Sequence, residues 1–371
     1  MSDGAARIQG NSIRVALSML TLVPGGMGGS ETYARALTEI LPDAPELATT
    51  AFVPESARGF SKRVSEETVA GLRVGKSTRE RLTALAAIGR RAGSIRAQMR
   101  DFDVAHYPFT VPAPRPARNQ AFVQSLLDVQ HLELPSMFSR AELLFRRRYY
   151  QGAARRADAV ITISHFAKKR MVELVGLDPE RVHVAQLAVD SQRFSPRIGD
   201  RDDFVLYPAR PWPHKNHARL FEAMEIARRD RPGLRLVLTG GGLEGLGDVP
   251  EWVDRRGLVS EDELLELYRT AAAMVFPSLY EGFGLPPLEA MASGCPVAAS
   301  NAGSLPEVVG DAGVQFEPND PQSIAQGILQ VLDNGDEYAA LGLERSKLFT
   351  WERCRDAHVL AYQAALKDRR K

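Results

Sequence analysis

Short apolar runs alternating with helical stretches, in two successive cycles, constrain this chain more than any other feature. In the first half, Ile13–Leu17, Asp103–His106, Ala121–Leu126 and Ala159–Ile163 read as buried strands. Phe204–Tyr207, Leu234–Leu238, Ala273–Phe276, Val297–Ala299 and Val314–Phe316 do so in the second, with helical patterns over Arg219–Arg228, Glu261–Thr270 and Pro321–Leu332. Runs that are apolar throughout fit strands covered on both faces, and the intervening helices supply the cover. The expected fold class is α/β, with two doubly wound Rossmann-like domains facing a central cleft. At 371 residues the chain is longer than one core usually supports. The polar stretch Asp190–Asp203 separates the cycles, which puts one domain over residues 1–192 and the other over 193–350. Ligands of such sheets bind at the carboxyl ends of the strands.

Charge and cysteine content exclude several function classes. Lysine plus arginine number 47 against 46 acidic residues, so no global excess of positive charge points to nucleic acid. The two cysteines, Cys295 and Cys354, lie far apart and outside any metal-ligand spacing. Neither a disulfide framework nor a zinc site is expected, and a reducing, cytoplasmic setting follows. The polar N-terminus lacks the apolar core of a signal peptide. No apolar run approaches the ~18 residues that span a bilayer, so any membrane contact is expected to be peripheral.

The segment Glu281-Gly-Phe-Gly-Leu-Pro-Pro-Leu-Glu289 follows the strand Ala273–Phe276 directly. It puts one carboxylate on a glycine-broken loop and a second inside the next helix. Unpaired N–H groups at a helix start favour an anion such as phosphate. Carboxylates accept hydrogen bonds and repel phosphate, so Glu281 and Glu289 suit hydroxyl groups on either side of it. Hydroxyls flanking a phosphate describe a nucleotide sugar. Arg210-Pro-Trp-Pro-His-Lys215-Asn216 sets two cations at the end of Phe204–Tyr207, where a guanidinium fork and an ammonium can hold a diphosphate.

Other motifs are less specific. Gly25–Gly29 lies between the first strand and a helix that Ser30 is expected to cap, with Glu31 in its first turn. Gly240–Gly245 fits a dinucleotide fingerprint formally, but no helix opens on its last glycine. His106 and His131 each follow an apolar run, where a hydrogen-bonded structural histidine and a chemical one look alike. Asp128 follows Ala121–Leu126 and can reach a substrate hydroxyl or cap the next segment. Thr78–Arg100 and Arg140–Arg156 are arginine-rich; they read as solvated faces, or as a surface for anionic membrane or a polyanionic acceptor.

With these residues assembled, the chain resembles the retaining glycosyltransferases of family 4, of the two-domain GT-B architecture. The resemblance covers nearly the whole chain and is most specific from Phe204 to Gln315. The family's E-x7-E signature corresponds to Glu281 and Glu289, its arginine–lysine pair to Arg210 and Lys215, and its glycine pair to Gly28 and Gly29. Ala157–Ser164 also matches its pattern. By resemblance, Glu289 holds the ribose, Glu281 contacts the sugar hydroxyls, and Phe283, Gly284 and Leu285 present backbone to the phosphates. Leu258 lies near the base, and the helix from Trp351 crosses back onto the first domain. Many relatives carry His-Asp where this chain has Leu127-Asp128, so the histidine's role is either lost or taken over by His131.

The expected activity is transfer of a hexose, with retained configuration, from a nucleotide diphosphate sugar to a hydroxyl of a glycan or lipid-linked acceptor. GDP-mannose is favoured as donor, with UDP-glucose close behind; no other cofactor and no metal are expected. The alternatives are an epimerase or phosphorylase on a similar scaffold, or a non-catalytic nucleotide-sugar-binding module.

Overall fold

The structure, a computed structural model, describes residues 12–196 and 201–369. Residues 197–200 of the expected interdomain stretch and residues 1–11 therefore lie outside the described residues.

The first half forms a seven-stranded parallel sheet of β1 (Ile13–Ser18), β2 (Leu47–Pro54), β3 (Ser65–Val69), β4 (Val104–Tyr107), β5 (Ala121–Ser125), β6 (Ala159–Thr162) and β7 (Val182–Val184). Its order is β3-β2-β1-β4-β5-β6-β7. A six-stranded parallel sheet follows: β8 (Asp202–Pro208), β9 (Arg235–Thr239), β10 (Val253–Gly257), β11 (Ala271–Phe276), β12 (Val297–Ser300) and β13 (Val314–Phe316), in the order β10-β9-β8-β11-β12-β13. In each sheet the order reverses beside the first strand, which opens a crevice at the carboxyl ends where β1 meets β4 and β8 meets β11.

The apolar runs of the sequence are the central strands. β4, β5, β6 and β12 are buried at every position, because helices cover both faces. One core runs from Val15, Leu17 and Val123 through Phe204–Tyr207 to Tyr362 and Ala365, so the two halves share buried contact. A second core, including Ala16, Phe52 and Ala105, fills the other face of the first sheet.

The last helix, Trp351–Asp368, is capped by Thr350 and packs on β5, β6 and β7 of the first sheet. A buried hydrogen-bond chain fixes it there. His358 Nδ1 donates to the Cys354 carbonyl at 2.8 Å, so its Nε2 must accept from Tyr33 OH at 2.9 Å. Tyr33 then accepts from Ser125 Oγ (2.7 Å), Ser125 from His106 Nε2 (2.7 Å), and His106 Nδ1 from Tyr362 OH (2.9 Å). Every donor has one acceptor, and the chain closes only with both imidazoles neutral. Burial pushes the His358 pKa down to about 4 and holds His106 well below its ordinary value. His106 thus serves this structural chain.

Candidate active site

Between β11 and the helix Leu285–Ala292, a loop carries Glu281 to the mouth of the crevice. Two glycines shape it. Gly284, at φ 116°, caps the helix, and a Cβ there would come within 2.8 Å of Leu305 Cδ2. Gly303, at φ 64°, passes so close that a Cβ would stand 2.7 Å from the Glu281 nitrogen. Ser304 then grips the loop: its Oγ donates to the carbonyls of Glu281 (3.0 Å) and Phe283 (2.6 Å).

The helix start differs from a plain anion cradle. Pro286 and Pro287 occupy its first turn and remove N–H donors that the sequence reading assigned to this end. The amides of Gly282, Phe283, Gly284 and Leu285 remain, and none has a protein acceptor among the described residues. Buried backbone donors are almost always paired, so four consecutive free ones mark a place where an oxyanion fits.

Lys215 lies on the short turn Pro213–Lys215 that follows β8. The turn is held by Leu279 N donating to the His214 carbonyl (2.7 Å) and Tyr207 OH donating to the Lys215 carbonyl (2.6 Å). Lys215 Nζ meets Glu281 Oε1 at 2.5 Å, with the two side chains 13% and 14% exposed, so little water screens the pair. Burial, then the Lys215 charge, pushes His214 down to about 4, which keeps it neutral beside the pair. Arg210 is exposed, its guanidinium 5.8 Å from the Trp212 ring centroid. The structure records no hydrogen bond or ion pair for the Arg210 side chain among the described residues.

Glu289 stands on the helix Leu285–Ala292 itself, in its second turn. Its Oε2 accepts from Tyr268 OH at 3.0 Å. Burial raises its pKa from 4.5 to about 7, against the lowering effect of that hydrogen bond and of Arg193. Phe283 is buried and packs edge-on against Phe349, ring centroids 5.8 Å apart. Leu258, 81% exposed, projects from the loop between β10 and the helix Glu261–Thr270.

The opposite wall comes from the first half. Asp128 lies against the loop that carries Glu281, its Cβ 3.2 Å and Oδ2 3.4 Å from where a Cβ on Gly282 would stand. Its Oδ1 accepts from Gln130 N (3.0 Å). Burial raises its pKa, assisted by the Glu281 charge and opposed by the Gln130 N–H and by Arg146. Gly28, at φ 54°, caps the helix Gly29–Ile40. The cap is therefore the glycine, and Ser30 falls inside the first turn, correcting the expected serine cap. Nothing of the protein lies within 4 Å of where a Cβ on Gly28 or Gly29 would stand. His131 is buried on the short helix Gln130–Glu133, accepts from Gln151 Nε2 at 3.1 Å, and is pushed down to about 4 by burial.

The sequence reading missed the contacts that join the two walls. Ser164 Oγ donates to the Gly282 carbonyl (2.8 Å) while accepting from Ala167 N to cap its own helix. Glu307 accepts from the backbone N–H groups of His165 and Phe166 (3.0 Å each) and from Gln186 Nε2 (2.6 Å). Tyr280 accepts from Val129 N at 3.4 Å and packs on Phe166, ring centroids 5.7 Å apart. Ser164 before a helical run was a readable cap; Glu307 had no local signal, because its partners are some 140 residues away.

Two family models cover most of the chain: "Glycosyltransferase Family 4" over residues 27–193 and "Glycosyl transferases group 1" over residues 188–346. The chain is 32% identical to O-antigen chain mannosyltransferase B of Escherichia coli, over 67% of this chain and 71% of that one. It belongs to glycosyltransferase family 4. It is also 31% identical to the MMP alpha-(1->4)-mannosyltransferase of Mycolicibacterium hassiacum, over 59% of each chain. Among solved structures, sucrose-phosphate synthase from Thermosynechococcus elongatus superposes with a TM-score of 0.77 at 20% identity, over 95% of this chain and 98% of that one. Anabaena HepE in complex with UDP-glucose gives 0.68 at 18% identity, over 97% of this chain and all of the other. These likenesses establish the GT-B fold of two Rossmann-like domains. Among the described residues no helix is long and apolar enough to cross a membrane, and no group of three His, Cys, Asp or Glu residues stands close enough to hold a metal ion.

Proposed function

We propose that this family 4 glycosyltransferase moves a hexose, with retained configuration, from a nucleotide diphosphate sugar bound by the second half to a hydroxyl presented by the first. The observation that carries the reading is the Lys215–Glu281 pair beside four unpaired loop amides, with Glu289 farther along the helix. The amides and Lys215 take the diphosphate, and Arg210 swings in from the crevice rim. Glu289 accepts from the ribose hydroxyls, Glu281 from the sugar hydroxyls, and Leu258 lies against the base. Gly28 and Gly29 leave room for the sugar and phosphate on the opposite side.

Front-face attack fits this arrangement: the departing phosphate oxygen takes the proton from the acceptor hydroxyl, and fixed cations stabilise the charge that develops on the leaving diphosphate. Asp128 orients the acceptor. His131, neutral and hydrogen-bonded to Gln151, belongs to the wall rather than moving a proton. On this reading the cations need no added metal, and no cofactor beyond the donor takes part. Mannose from GDP-mannose is the favoured donor, supported by the two mannosyltransferase relatives; UDP-glucose is the second choice. A glycan or lipid-linked acceptor, reached from the cytoplasmic face of a membrane through the arginine-rich helices of the first half, completes the reading.

A panel of sugar nucleotides, followed by thermal unfolding and then by transfer assays, tests it. A ligand that binds only the native state raises the unfolding temperature. GDP-mannose should stabilise most and be turned over with retention. Stabilisation by no sugar nucleotide, or epimerised donor without acceptor, would overturn it.

A further inference from the structure

Arg146 is a partly buried guanidinium with no hydrogen bond and no ion pair among the described residues. It ends the helix Arg140–Arg146, its guanidinium carbon 4.6 Å from the Phe138 ring centroid and 5.2 Å from that of Tyr150. The acidic residue one turn earlier, Glu142, feels its charge but makes no ion pair with it. Its carboxylate is turned back into a capping box, accepting from Ser139 N and Ser139 Oγ at 2.8 Å each. Two aromatic rings hold the guanidinium in place but supply no hydrogen-bond acceptor of the ordinary kind.

The position of this unspent charge is informative. It acts on Asp128, His131 and Tyr150, and Asp128 in turn touches the loop bearing Glu281. A second cation, Arg81, also acts on Tyr150 and hydrogen-bonds the Gly26 carbonyl of the glycine loop at 3.4 Å. Arg146 and Arg81 thus both stand in the wall that faces the donor, with Arg146 acting on the Asp128 carboxylate. A guanidinium held by two rings and left without a hydrogen-bonded partner next to a reaction centre is complementary to an oxyanion on the ligand.

We propose that Arg146 recognises an oxyanion on the acceptor, a phosphate or a sugar-acid carboxylate, and so restricts the enzyme to anionic acceptors. The proposal rests on the reading of the first half as the acceptor side. The guanidinium fork, held between Phe138 and Tyr150, takes the anion, while the hydroxyl to be glycosylated lies toward Asp128.

The test uses the full-length protein saturated with whichever of GDP or UDP it binds, so that the donor's own phosphate contacts are filled. Mannose, mannose 6-phosphate and mannuronate are then titrated by calorimetry. Both or one of the anionic sugars should bind about tenfold or more tightly than mannose, the worth of one charged hydrogen-bonded contact. The two anionic arms distinguish phosphate from carboxylate. Arg146→Met should abolish the preference, and Arg146→Lys should restore only part of it, because an ammonium lacks the planar fork. Nucleotide binding by each variant reports that it is folded. Equal binding of all three sugars, or an intact preference in Arg146→Met, overturns the proposal. Failure of every nucleotide to bind instead counts against the donor assignment, and the sugar titrations on the free protein still decide the role of Arg146.

Discussion

Replacing Glu289 with glutamine should make the protein more stable and less able to bind its nucleotide, in a pH-dependent way. Burial lifts the Glu289 pKa from 4.5 to about 7, a rise of about 2.5 units. At ~1.36 kcal/mol per unit, the folded state holds the ionised carboxylate at a cost of about 3 kcal/mol above pH 7. Between pH 4.5 and 7 the unfolded chain has already lost a proton that the folded chain keeps. The side chain's contribution to stability therefore falls as pH rises through that window and is level beyond it. Glutamine is neutral at every pH and can still accept from Tyr268. Urea unfolding of both proteins should show Glu289→Gln more stable by about 3 kcal/mol at pH 8 and by under about 1 kcal/mol at pH 5. Nucleotide affinity at pH 8 should drop in the same variant. A stability difference of the same size at both pH values would refute the argument, since it would mean that burial does not penalise the charge.

Alanine at Lys215 or Glu281 should lower turnover by orders of magnitude with the circular dichroism spectrum unchanged; parental rates in both would dissolve the site. Glu307→Gln puts an amide donor where a backbone N–H now donates, and should reduce kcat by about tenfold while the nucleotide Kd stays put, the loss of one charged hydrogen bond. An equal rise in Kd would instead place Glu307 in the nucleotide site. The C-terminal helix should loosen in acid: the His358 pKa falls from 6.5 to about 4 on folding, so stability rises with pH across that window. Hydrogen-exchange protection of residues 351–368, corrected for the intrinsic pH dependence of amide exchange, should fall between pH 7 and pH 5, and His358→Gln should weaken that dependence, the remainder coming from His106.

The central strands other than β2, whose first four positions are only partly buried, were legible because burial on both faces leaves a continuous apolar run. β11 and β12 lie within two residues of the ranges read from sequence. β3 (Ser-Glu-Glu-Thr-Val), β7 and β10 (Val-Asp-Arg-Arg-Gly) were not read, because sheet-edge strands keep polar side chains in solvent and lose that signature. The same logic divides the site. Glu281, Glu289 and Lys215 belong to segments whose spacing alone constrains their chemistry. Ser164, Tyr280 and Glu307 act only where the two halves meet, and no local pattern encodes that meeting. Ser30 was misread as a cap because the turn before it needs positive φ, which Gly28 supplies without a side-chain bond.

A crystal structure with an intact nucleotide diphosphate sugar tests the account most directly. It should show the diphosphate on the Gly282–Leu285 amides and Lys215, the ribose on Glu289, and the hexose between Glu281 and Asp128. A diphosphate seated away from this loop, or a sugar turned out of reach of both carboxylates, would contradict it.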